Sequence, residues 1–362
     1  MAKELFLLNA KFGATVQELD HVLQALPLEY RPTWTLREAI LDPREPHKIG
    51  DAASALFTAI QIGIVTVLKS WGVRASAVVG FSTGEIAAAY AAGLLDQSEA
   101  IIVAHMISHS VAQLRPEGAM AAASIDAQSA EKLIEQSGLK GEVCVSAINA
   151  PKSILLSGSI KGVEVMISEL KKQKKPCLKL NTGGVAYHSH MMEDVTPYYE
   201  TLIAPYIRGK RETTRNSDVK MFSSVGHSGE DLPLLGKDTD MIRYWRDNIE
   251  KPVQFNAALL NLAASEDFHF IGIGPHHALS GPIHPILTAA SGPNKPPLPY
   301  KPSLIKGQDS DLVLKKLAGS LFLHGHELDW GKVNDFPDSV SLQTSSDDSS
   351  YSWLDSGAFL WS

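Results

Sequence analysis

Cysteine is nearly absent: Cys144 and Cys177 are the only two in 362 residues. They show no metal-type spacing and cannot form a disulfide framework, which excludes a stapled secreted scaffold and fits a reducing cytoplasm. An excess of basic charge is also missing. With 33 Lys and Arg against 40 Asp and Glu, the formal net charge is −7. The chain therefore has no general attraction for nucleic acid or an anionic membrane, and an anionic partner would need a local patch. No charged N-terminal segment leads into an apolar stretch of signal-peptide length, and the run Ile86–Leu95 is too short to span a bilayer. No signal peptide, membrane span or nucleic-acid partner is expected, and no internal repeat is visible. What is present is 44% apolar residues, enough to fill the core of one large globular domain or of a domain with a sizeable insert.

From Ala53 to Ser70 the apolar residues Leu56, Ile60, Ile64, Val67 and Leu68 recur at helical spacing, and Trp71-Gly72 ends the helix. Ala75–Val79 then reads as a short apolar strand. It runs into Gly80-Phe81-Ser82-Thr83-Gly84-Glu85 and an alanine-rich stretch to Leu95, predicting a strand, a tight turn with Ser82 at its apex, and a helix.

Between Gly118 and Asn181 the pattern is strand (Met120–Ile125), helix (Gln128–Gln136), strand (Val143–Ile148), strand (Ser153–Ser157), helix (Gly162–Lys172) and strand (Cys177–Leu180). This βαββαβ order is that of a ferredoxin-like unit and predicts an inserted subdomain. Lys171, Lys172, Lys174 and Lys175 crowd the end of its second helix. They read either as a solvated helix C-terminus or as a dock for an acidic protein partner. Mixed α/β patterning resumes afterwards, with a strand at Phe268–Ile273, a Pro-rich loop at Gly292–Pro302 and a helix over Asp311–Leu323. Residues Asn334–Ser350 are rich in Ser and Asp and poor in apolar side chains, which reads as a linker. The aromatic end Tyr351–Trp361 is a candidate to dock back.

Gly80-x-Ser82-x-Gly84 between a strand and a helix is a nucleophile-elbow pattern. Its glycines permit a strained turn, the serine hydroxyl is thrust outward, and the following N–H, of Thr83, can stabilise an oxyanion. A serine nucleophile needs a base, and Tyr187-His188-Ser189-His190 follows directly after the insert. A metal site at His188 and His190 lacks evident further ligands nearby. His276 and His277, after Gly274-Pro275, are either residues lining the same cleft or the base of an ordinary serine hydrolase.

The segment Val78-Val79-Gly80-Phe81-Ser82-Thr83-Gly84-Glu85-Ile86-Ala87 resembles the nucleophile segment of malonyl-CoA:carrier-protein acyltransferases, especially the acyltransferase domains of fungal highly reducing type I polyketide synthases. The likeness continues through Ala147-Ile148-Asn149-Ala150-Pro151 and Ser157-Gly158, Tyr187-His188-Ser189-His190-Met191-Met192, Tyr244-Trp245 with Asn248, Ile273-Gly274-Pro275-His276, Leu321-Phe322 and Asp329-Trp330. The resemblance implies an acyl-accepting Ser82, His190 as its general base with the imidazole oriented by backbone, and Thr83 N–H as an oxyanion donor. It places Phe81, Ile107, Asn149, His188 and His276 at the substrate cleft. No metal or bound cofactor is implied. Acyl-CoA is the donor and the phosphopantetheine thiol of a carrier protein is the acceptor, in secondary metabolite synthesis.

The chain departs from that pattern at three points. Family members begin with a strand ending in Gly-Gln-Gly, whose glutamine N–H completes the oxyanion hole, whereas Met1–Leu5 matches the helix that follows that loop. One strand and one donor are therefore expected to be absent, leaving a gap or an open sheet edge. Phe81 stands where a histidine is usual. Ile107 stands where an arginine pairs with the carboxylate of malonyl units, and isoleucine cannot make that bidentate pair; Arg115 is the next arginine downstream.

The expected fold is α/β. A large hydrolase-like parallel-sheet subdomain spans residues 1–117 and 182–333, a ferredoxin-like insert 118–181, and a linker with an aromatic tail 334–362. Three functional readings stay open: acyl transfer, a serine hydrolase or thioesterase with His276 or His277 as base, and a degenerate remnant acting only as an interaction module.

Overall fold

The computed structural model describes residues 2–42, 46–207, 218–227, 229–236, 238–266, 268–275, 279–293, 295–335 and 357–361. Ten strands are defined among them: β1 (Ala77–Gly80), β2 (Ala119–Ala123), β3 (Val143–Ala150), β4 (Ser153–Gly158), β5 (Cys177–Lys179), β6 (Lys220–Phe222), β7 (Leu234–Leu235), β8 (His269–Ile273), β9 (Tyr300–Pro302) and β10 (Gly357–Trp361). Six form one sheet in the order β7-β6-β1-β10-β8-β9, and four form a second in the order β3-β4-β2-β5.

β1 is buried at all four positions, as a parallel strand covered on both faces must be. Its side chains alternate between two cores: Val78 joins one, Ala77 and Val79 the other. The first core is built by helices Ala10–Gln24, Pro46–Ser70 and Gln97–Leu114, through Phe12, Leu19, Ile60, Ile64, Ile101 and Ala104. The second is built by helices Phe255–Ala263 and Ser280–Ser291. The stretch Ala52–Ser70 is long and apolar enough to cross a bilayer, but 72% of it is buried inside the fold. Its apolar surface is taken up by neighbouring helices.

The gap expected from an absent strand does not arise. β10, from the aromatic tail, lies between β1 and β8 and pairs parallel with both, Ala77 opposite Ala358 and Gly80 opposite Trp361 on one side, His269 opposite Gly357 and Ile273 opposite Trp361 on the other. The Ser/Asp-rich stretch from residue 336 to 356 lies outside the described residues.

The four-stranded sheet is antiparallel throughout, and its order is that of a ferredoxin-like unit. Helices Ala127–Gln136 and Ile160–Lys172 close its own core around Leu133, Ile154, Leu156, Val163, Met166 and Leu170. Gly118 N–H donates to the Gly184 carbonyl at 2.6 Å, a clip across the neck of the insert. A second junction runs through β3, where Ile148 N–H donates to Val253 O at 2.8 Å and Val253 N–H to Ser146 O at 2.9 Å. The insert is thereby fastened to the segment 250–254, which also borders the site.

Candidate active site

The chain turns sharply after β1, and helix Gly84–Ala91 begins two residues beyond Ser82. Ser82 sits in the left-handed region at φ +54°, a conformation that costs a non-glycine residue on the order of 1–3 kcal/mol and persists where surrounding contacts enforce it. Gly84, Glu85 and Ile86 N–H groups donate to the carbonyls of Phe81, Ser82 and Thr83. The Thr83 N–H has no intramolecular acceptor among the described residues, and it lies at the helix N-terminus, where unsatisfied amides favour negative charge. A Cβ on Gly80 would lie 2.3 Å from the Glu85 backbone, so only glycine allows strand and helix to approach this closely. Phe81 turns away into the second core, edge-on to Phe255 at 5.7 Å.

The histidine that meets Ser82 is His188, with Nε2 2.7 Å from Ser82 Oγ. This corrects the expectation for His190. His188 also adopts a left-handed backbone, at φ +58°, which turns its buried ring toward the elbow. Two residues later the chain has entered a 3-10 turn, His190–Met192, and the His190 side chain is exposed. The remaining contacts of His188 fix its tautomer. Nδ1 lies 3.1 Å from the Lys251 carbonyl, which can only accept, so Nδ1 carries the proton and Nε2 offers its lone pair to the serine hydroxyl. Its backbone N–H donates to Ile249 O at 2.9 Å. Burial pushes the imidazole down to about 4, so it is neutral at pH 7.

Behind the elbow lies a buried carboxyl that sequence reasoning did not single out. Glu85 Oε1 accepts from Ser224 N–H at 2.5 Å and Ser224 Oγ at 2.7 Å, and Oε2 accepts from the Tyr244 hydroxyl. Burial pushes it up to about 7 from an ordinary 4.5, against the opposing pull of these donors. The available signal was one acidic residue inside the otherwise apolar run Gly84–Ala91.

The two shifts predict opposite pH trends in stability. His188, lowered from 6.5, stabilises the fold above pH 6.5 and loses that contribution as pH falls toward 4. Glu85, raised, stabilises below pH 4.5 and loses its contribution as pH rises through about 7. Glu85→Gln removes the second trend alone. Its stability relative to wild type is expected to rise by about 3 kcal/mol between pH 4.5 and 7, read from urea unfolding at each pH. A difference that does not vary with pH would contradict a raised Glu85.

Ile107 is 2% exposed in the first core. Arg115 is exposed at the C-cap of the same helix and does not replace an interior arginine. Asn149, on β3, is buried with its Oδ1 unpartnered among the described residues. His276 and His277 lie outside the described residues. A cavity of about 720 Å³ opens at the seam of the two subdomains, lined by Lys140, Cys144, His188, His190, Lys251 and Gln254. That is a size suited to a small organic ligand.

A family model described as acyl transferase domain matches residues 1–320. The chain is 48% identical over 347 residues to the highly reducing polyketide synthase fogA of Aspergillus ruber, and 48% identical over 346 residues to virA of Hypocrea virens. These alignments cover 94% and 95% of this chain but 14% of each relative. Among solved structures, the acyltransferase domain of the second module of the salinomycin polyketide synthase superposes with a TM-score of 0.76 at 24% identity, over 94% of this chain and 75% of that one. A loading acyltransferase of the avermectin synthase does so with 0.76 at 21%, over 89% and 95%. With an elbow serine against a histidine and a matching family model over most of its length, the chain belongs to the acyl transferase domain family.

Proposed function

We propose that Ser82 accepts an acyl group from an acyl-CoA thioester and passes it to the phosphopantetheine thiol of a carrier protein, with His188 as general base and acid. The observation that carries this reading is the 2.7 Å contact between Ser82 Oγ and an imidazole whose other nitrogen is tied to the Lys251 carbonyl. As Oγ attacks the thioester carbon, its proton passes to Nε2, and the oxyanion draws on the Thr83 N–H. The C–S bond then breaks, the thiolate takes the proton back from His188, and coenzyme A leaves. The carrier thiol reverses these steps on the acyl-serine, giving a ping-pong scheme that needs no metal or resident cofactor.

The burial of Ile107 in an apolar core and the outward position of Arg115 favour uncharged acyl groups over malonyl units, because a buried carboxylate requires a charge-assisted partner. Intact-mass analysis after incubation with acetyl-, longer acyl- and malonyl-CoA tests the reading. The expected result is an acyl adduct from the uncharged donors that is lost in Ser82→Ala. No adduct from any donor on folded protein would refute it, and an adduct from malonyl-CoA alone would refute the donor class.

A further inference from the structure

Granted that Ser82 and His188 carry the transfer, something must hold two residues 106 positions apart in sequence at 2.7 Å. Their local backbones do not do so, since each belongs to a separate loop. Both loops are fastened to one element, the helix Met241–Glu250 and the residue that ends it.

On the nucleophile side, Asn248 Nδ2 donates to the Ser82 carbonyl at 3.2 Å, and the Tyr244 hydroxyl donates to Glu85, three residues past the nucleophile. Tyr244 and Asn248, one turn apart, are both buried and so share the face turned toward the elbow. Glu85 extends the connection to Ser224, whose hydroxyl lies 2.9 Å from the Gly80 carbonyl, on the strand entering the elbow. On the histidine side, the Ile249 carbonyl accepts the His188 N–H and the Lys251 carbonyl faces Nδ1. Carbonyls at a helix C-terminus lack intrahelical donors and carry partial negative charge. They therefore fix the ring and favour the imidazolium that forms as Nε2 takes the serine proton.

We propose that Glu85, Tyr244 and Asn248 are positioning residues, a bridge through which one helix end sets the Ser82–His188 separation. None of them touches the reacting atoms. Their loss should lower the rate of the chemical step and leave donor binding alone.

The test uses the whole chain with Asn248→Ala, Tyr244→Phe and Glu85→Gln. Two quantities are read: the rate of Ser82 labelling by a fluorophosphonate, which needs no acyl donor, and the affinity for a non-reactive thioether analogue of acetyl-CoA. Asn248→Ala and Tyr244→Phe are expected to slow labelling by about 10–100-fold, the scale of a small misplacement of reacting groups, with analogue affinity within about twofold. Glu85→Gln, which still accepts from Ser224 and can donate to Tyr244, should stay within about threefold. Labelling of Asn248→Ala and Tyr244→Phe at the wild-type rate, with His188→Ala inert, overturns the bridge and leaves the dyad standing. Labelling of His188→Ala at the wild-type rate overturns the dyad itself. A rate lost only in proportion to analogue affinity or folded fraction also overturns the bridge. Should Tyr244→Phe fail to fold, Asn248→Ala decides, since it removes the amide that donates to the Ser82 carbonyl and also reaches Glu85.

Discussion

Replacing His188 with alanine is expected to slow acylation of Ser82 by about 10²–10⁴-fold, the span of a lost general base, while His190→Ala stays within about twofold. The sequence alone favoured His190, and the structure separates the two residues on geometry. The His188 ring is buried against Ser82 and held at Nδ1 by a carbonyl, whereas the His190 ring is exposed at the start of a 3-10 turn. A burst assay with acetyl-CoA reads both variants. The depressed affinity of His188 for protons sharpens the comparison, because the acid limb of the wild-type rate should fall near pH 4 and not near 6.5. A wild-type rate in His188→Ala would move the base elsewhere, with His276 and His277 the next to test.

Ending the chain after Asp335 is expected to lower the thermal midpoint by about 10 °C or more, or to abolish cooperative unfolding. This removes β10, which bonds to β1 on one side and β8 on the other. Without it the strand entering the elbow and the strand leading to Gly274-Pro275 face one another across an unfilled slot, each with a row of unpaired amides and carbonyls. Edge strands tolerate such losses because water replaces the partner; a central parallel strand covered by helices on both faces has no such substitute. Circular dichroism melts of the shortened and full chains give the answer. Midpoints within about 2 °C would show that β10 is not integral to the sheet.

Much of the fold could be read locally. The βαββαβ order of the insert follows from periodicity and turn residues within some 60 positions, since each of its elements pairs or packs with others of the same unit. The elbow was legible for the same reason, as Gly80, Ser82 and Gly84 act within one turn. Glu85, Tyr244 and Asn248 were not: a buried carboxyl and its donors lie 159 and 139 positions apart along the chain, and although Glu85 stands out as one acid in an apolar run, nothing local says which residues meet it. Tyr244, Trp245 and Asn248 were visible as a motif without a role.

The sequence by itself determined the family, the elbow with Ser82 at its apex and the order of the elements, because backbone propensity and the tight turn are encoded by neighbours. Only the tertiary structure decided which histidine faces Ser82, since a single left-handed residue at 188 sets where each ring points. It also decided that the tail from Gly357 to Trp361 enters the centre of the sheet. Pairing across some 280 residues depends on which strand edges remain open once the rest has folded, and no local pattern records that.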